Sequence, residues 1–369
     1  MLHQVDRGQA HQGDRPGAGQ DLWSLGVLPV LAAGGMAGFL GIYWDISWHI
    51  DKGRDTFFTP PHDFIYTNMA IVLAASLYGM WRDRRQTPFH LSAGPFRFQA
   101  GILIVAVGAA LVLAFAPLDD LWHRLFGVDV TVWGPMHLVG ILGLALSRFG
   151  GLVCAWLDRE LAVHPARRRL LGDVTLFFAM LLLGGSVLAV SEYEFMVPQY
   201  PMVWHPILLA GLPVFTLVLA ARLAPRPWAA TLVTVGFTAL RLALAAWLVA
   251  AARLDLAGES QPVIPLLIPA GLAVDLLVAR GARGWVAGLA AGAVTLVMTG
   301  LLIDASASAI GGIHLVWTAT TLERAVVPAL LLSALLGAAG GAAADALGAP
   351  GGNRRAPGGQ LVSPARPSH

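Results

Sequence analysis

Ten stretches of about 20 apolar residues constrain this chain more than any other feature; they run at roughly 24–47, 63–81, 98–118, 135–157, 170–191, 203–222, 228–252, 263–280, 284–303 and 325–348. As helix, each is long enough to cross a hydrocarbon core of about 30 Å, where every backbone N–H and C=O must be satisfied inside the segment. With 56% hydrophobic and 12% charged residues, the 369-residue chain lies outside the range of ordinary soluble domains. The expected fold class is all-α: a polytopic integral membrane helical bundle of about ten transmembrane helices. Gly and Ala inside the runs, as in GLAAGAVTLVMTG, suit close helix contacts in lipid.

Charge placement predicts the orientation. The loops after the second, fourth, sixth and eighth runs carry twelve arginines, and the five opposite loops carry five Lys or Arg. The positive-inside rule then puts both termini in the cytoplasm and the remaining loops on the outer face, in the inner (cytoplasmic) membrane of a bacterium. The net charge of +2 offers no basic domain for nucleic acid, so the expected partner is the lipid bilayer. Cys154 is the sole cysteine, which excludes a disulfide framework and a thiolate cluster; any metal here would be held by nitrogen and oxygen. Residues 1–20 read as a disordered cytoplasmic N-terminus without the build of a cleaved signal peptide, and 349–369 as a disordered cytoplasmic tail. Between them, 21–160 is expected to form a four-helix repeat region and 161–348 a set of additional transmembrane helices.

The repeat is written in the outer loops. YWDISWHIDKGRDTFFTPPH (43–62) returns as LDDLWHRLFGVDVTVWGPMH (118–137). Aligned on the first aspartate, Asp45/Asp119, Trp48/Trp122, His49/His123, Gly53/Gly127 and Asp55/Asp129 are in register, and a proline followed by His62/His137 closes each phrase. Each phrase joins the end of one span to the start of the next. The unit is therefore a helical hairpin, and two hairpins of one orientation make a tandem parallel repeat about an axis near the membrane normal.

The spacing points to metal. Residues four apart share a helical face about 5–6 Å apart at Cβ, so Asp45 with His49, and Asp119 with His123, can hold one ion. The glycine-containing turn brings His62 or His137 back as a third ligand from the facing helix, in the manner of bundle metal sites. The alternative reading is a hydrogen-bonded Asp–His pair at a helix C-terminus with interfacial tryptophans beside it. Two matching copies favour metal, because packing alone does not require the same ionisable types twice at membrane depth. Two histidines and a carboxylate suit copper, non-haem iron or zinc alike.

Weaker candidates lie around these trios. Asp55 and Asp129, with Trp48 and Trp122, are placed to tune the ligands from behind, although a turn-forming aspartate is an equal reading of the first two. Glu192 precedes His205 by the His49-to-His62 interval, which reads as a degenerate third copy or as a loop that contains a histidine; His314 lacks the Asp-x3-His core. Arg241 and Asp275, both inside apolar runs, read as a structural ion pair between adjacent helices or as a proton relay.

The set Asp-x3-His-x12-His between transmembrane helices resembles the C subunit of the copper membrane monooxygenases, the group containing particulate methane monooxygenase and ammonia monooxygenase. Asp45, His49 and His62 match that subunit's copper-site spacing, and Asp119, His123 and His137 reproduce the intervals of its second site, which begins with Asn in the family and with Asp here. The resemblance covers about 100 residues. This chain has more spans than that subunit and lacks the cupredoxin-like domain of the assembly. The resemblance implies copper as cofactor, other membrane subunits and an external electron donor as partners, and dioxygen activation to oxidise a small apolar substrate. The alternative function is copper or transition-metal handling or transport in the envelope without turnover, against which stands the absence of a methionine or cysteine cluster.

Overall fold

The computed structural model describes residues 21–53, 57–83, 90–93, 96–127, 131–224, 226–254, 262–311 and 315–348. The expected disordered ends, Asp55, Asp129 and His314 lie outside the described residues. Among those described, nine helices are long and apolar enough to cross a membrane, and the chain is a polytopic helical bundle as expected. In chain order the elements are α1 (Val27–Lys52), α2 (Pro60–Arg82), a short hairpin β1 (His90–Ala93) and β2 (Phe96–Gln99), α3 (Ala100–Phe126), α4 (Pro135–Leu161), α5 (Pro165–Val187), one-turn α6 (Ser191–Glu194), α7 (Trp204–Leu223), α8 (Ala229–Ala250), α9 (Ile268–Ala279), α10 (Gly284–Gly311) and α11 (Ala319–Gly348). The two strands pair antiparallel, His90 opposite Gln99, and link α2 to α3; every spanning element is helix.

The eighth expected span, 263–280, is helical only from Ile268. Pro262 and Pro265 explain the difference: proline lacks the N–H and clashes with the preceding turn, so residues 262–267 are non-helical before α9 begins. Non-helical backbone at membrane depth is tolerated only where protein satisfies it. Here the Val263 N–H donates to the Glu194 carbonyl at 2.8 Å, and Arg241 Nη2 donates to the Val263 carbonyl at 3.1 Å.

Helices α1 to α4 pack in sequence, and α5 joins them to the second group, α7 to α11, through contacts with α1, α4, α7 and α8. The α3–α4 seam is closest where Gly108 meets Gly143. A Cβ on Gly108 would lie 2.4 Å from the Gly143 carbonyl oxygen, so backbone touches backbone as small residues permit.

Arg241 and Asp275 do not pair with each other. Arg241, fully buried, pairs with Glu194 at 3.1 Å and donates to the Tyr43 hydroxyl at 2.7 Å. Asp275 instead caps the start of α8, accepting from the Ala230 and Thr231 N–H groups at 3.1 and 2.8 Å. An expectation of one ion pair is replaced by two separate polar contacts.

Candidate metal centres

The two phrases fold alike. α1 carries Asp45 and His49 in its last turns and ends at Gly53 (φ 80°, ψ 172°); α3 carries Asp119 and His123 and ends at Gly127 (φ 91°, ψ 164°). Both glycines occupy a region of backbone space that is essentially closed to other residues, and their N–H groups donate to the His49 and His123 carbonyls. The next helix starts on proline in each copy, where the missing N–H costs nothing, and its first turn bears His62 or His137.

Each trio converges. Asp45 Oδ1 lies 3.0 Å from His62 Nε2 and 3.5 Å from His49 Nδ1, and the two rings are 5.2 Å apart between centroids. Asp119 Oδ1 lies 3.3 Å from His123 Nε2 and 3.4 Å from His137 Nε2, with ring centroids 5.5 Å apart. Among the described residues these two trios are the groups of three or more metal-ligating side chains whose donor atoms fall within 4.8 Å of one another, so two His/Asp clusters could hold a metal ion.

The imidazoles share an orientation. Nδ1 of His49, His62, His123 and His137 faces a backbone carbonyl, that of Asp45 (2.9 Å), Phe57 (3.0 Å), Gly127 (3.4 Å) and Thr131 (2.6 Å) respectively. A carbonyl can only accept, so Nδ1 carries the proton in each neutral ring and Nε2 keeps the lone pair. Backbone carbonyls that fix the tautomer in this way are the usual companions of ligating histidines.

One cavity of about 700 Å³ is lined by all of the first trio and by Asp119 and His137 of the second. Equivalent positions of the two copies line it: Ile42 and Ala116, Asp45 and Asp119, His62 and His137, Ile65 and Gly140, Tyr66 and Ile141. That pairing is what a parallel repeat about an axis through the cavity requires. The rest of the wall is mostly apolar, including Ile46, Val112, Phe115 and Leu188.

The other sequence candidates fall around the trios rather than in them. Trp48 packs at the edge of the core and Trp122 against Phe126, 4.4 Å between centroids; both stand off the cavity wall. Glu192 lines the cavity, and its carboxylate receives donors from residues 131, 132 and 199. His205 is buried away from it, with Nδ1 accepting from Trp317 Nε1 at 2.9 Å. Glu192 and His205 therefore serve different neighbours, and they build no third trio among the described residues. Sequence reasoning missed two cavity residues of interest. Tyr66, one turn beyond His62, stacks on that imidazole at 5.7 Å. Thr131 offers the carbonyl that receives His137. The only signal for either was proximity to a ligand.

Comparison with family models, curated proteins and solved structures brings no name to these centres. No match is found in any of the three.

Proposed function

We propose that the chain is a copper-binding integral membrane protein of the bacterial inner membrane, a relative of the copper monooxygenase C subunit. In this reading Asp45, His49 and His62 hold one ion and Asp119, His123 and His137 a second. Both sites lie toward the outer face and both termini in the cytoplasm, as the arginine bias of the loops supports. The observation that carries the reading is the pair of matched trios, with four imidazole Nδ1 atoms facing backbone carbonyls and five of the six side chains lining one mostly apolar cavity.

The donor set fits the ion. Two neutral imidazole nitrogens and one carboxylate oxygen leave positions open, and copper accepts such ligands. Copper bound there would supply one-electron chemistry toward dioxygen. What the chain itself supplies is placement and exclusion. The carbonyls hold the rings in one tautomer, the aspartates balance the cation's charge, and the apolar wall admits a small apolar substrate from the bilayer while keeping bulk water out. The electrons come from a donor outside this chain.

Met136, on the cavity wall beside His137, favours a second reading, metal handling without turnover, since a thioether suits Cu(I). Metal analysis and electron paramagnetic resonance on detergent-purified protein test both. Wild type is expected to bind two equivalents of copper, and His49→Ala and His123→Ala to lose one each. Metal content unchanged in both variants removes both readings. Oxygen consumption driven by a quinol or a chemical reductant then separates oxidation from handling.

A further inference from the structure

The second trio depends on a residue from the other half of the bundle. We infer that Glu192 is a positioning residue for His137, acting through the loop that precedes α4; this rests on the metal-binding reading above.

The connection can be followed atom by atom. Glu192 sits in α6 and is 2% exposed. Its Oε1 accepts from Thr131 Oγ1 at 2.5 Å and from the Val132 N–H at 2.9 Å, while Oε2 accepts from the Gln199 N–H at 2.7 Å. The same Thr131 presents its carbonyl to His137 Nδ1 at 2.6 Å. One buried carboxylate therefore fixes the residue whose carbonyl fixes the ligand. The loop is held from a second direction too: Trp133 Nε1 donates to the Ala189 carbonyl at 3.2 Å, and so does the Tyr200 hydroxyl at 3.0 Å. Burial, with the Glu192 charge nearby, pushes the Tyr200 phenol above its usual range, which keeps that hydroxyl protonated as a donor.

The first trio is anchored differently. The carbonyl that receives His62 belongs to Phe57, whose ring stacks on Tyr66 at 5.0 Å between centroids. Tyr66 belongs to the same hairpin as His62, and its counterpart in the second copy is Ile141, which cannot stack in that way. Where the first copy uses an aromatic stack of its own, the second borrows a carboxylate from α6. Glu192 has three donors to satisfy with two oxygens, and glutamine has one acceptor oxygen and an NH2 that would face a donor, so a charge-neutral replacement of the same shape breaks the arrangement without opening a void.

The test is copper titration of detergent-purified protein with each trio isolated in turn. In a His49→Ala background, where only the second trio remains, Glu192→Gln is expected to weaken copper about 10- to 100-fold, the usual range for a lost partner behind a ligand. Thr131→Val should weaken it as well, and Thr131→Ser, which keeps the hydroxyl, should restore it. In a His123→Ala background, Glu192→Gln should leave the first trio's affinity unchanged. Equal weakening of both trios, or of neither, overturns the assignment while leaving the copper reading intact. No copper on wild type overturns the reading itself, and this inference with it.

Discussion

Replacing Glu194 by Gln isolates the energetics of the charge buried between α6 and α8. Arg241 is 0% exposed and Glu194 2%, and both terminal guanidinium nitrogens are committed: Nη1 to the Tyr43 hydroxyl (2.7 Å) and Glu194 Oε1 (3.3 Å), Nη2 to Glu194 Oε2 (3.1 Å) and the Val263 carbonyl (3.1 Å). Neutralising the carboxylate leaves the arginine charge buried without its counter-ion, and breaking such a pair costs about 3–5 kcal/mol. Removing both charges together with the hydroxyl between them, as Tyr43→Phe, Arg241→Met and Glu194→Leu in one protein, takes away that penalty and leaves chiefly the Val263 carbonyl without its donor, a loss of about 1–3 kcal/mol. The triple variant should therefore be more stable than Glu194→Gln alone. Reversible unfolding of the three proteins in mixed detergent micelles gives the comparison. A single variant within about 1 kcal/mol of wild type, or a triple variant less stable than the single, would refute the argument that the pair is locked by mutual need.

Three further outcomes follow from particular contacts. Gly127→Ala forces a side chain into the glycine-only region that ends α3 and should cost about 1–3 kcal/mol, with copper at the second trio falling while the first is retained, read by metal analysis. Gly108→Ala drives a Cβ against the Gly143 carbonyl and should destabilise the α3–α4 seam by about 1–3 kcal/mol, seen as a lower unfolding midpoint. Asp275→Ala removes the acceptor at the start of α8 and should cost about 0.5–2 kcal/mol, with copper content unchanged because the residue lies off the cavity wall.

The spans were legible because a run of about 20 apolar residues leaves the backbone one economical solution in lipid. The trios were legible because i, i+4 spacing is a property of the helix itself and the glycine turn returns the third residue beside the first two. Hydropathy does not see backbone chemistry, so it ran one apolar stretch through 263–280 although Pro265 forbids helix across it. Partners chosen across the bundle were also hidden. Arg241 and Asp275 looked like a pair in one dimension, yet Asp275 faces residues 230 and 231, roughly 16 Å along α8 from Arg241 at 1.5 Å per residue. Glu194, which does meet Arg241, lay in a stretch read as loop. Glu192 is only a weak candidate in the sequence, through its distance from His205; its carboxylate instead receives Thr131, some sixty residues away in the chain.

The unequal anchoring of the two trios has a consequence for biogenesis. Among the described residues, the carbonyls that receive His49 and His62 and the ring that stacks on His62 all come from residues 45 to 66, so these contacts can form as soon as α2 has entered the bilayer. The second has all three ligands by residue 137 but waits for residue 192 before its loop is pinned. A ribosome building this chain from its N-terminus thus finishes the two centres at different times, and a nascent protein halted between α4 and α6 would carry one mature centre and one still loose.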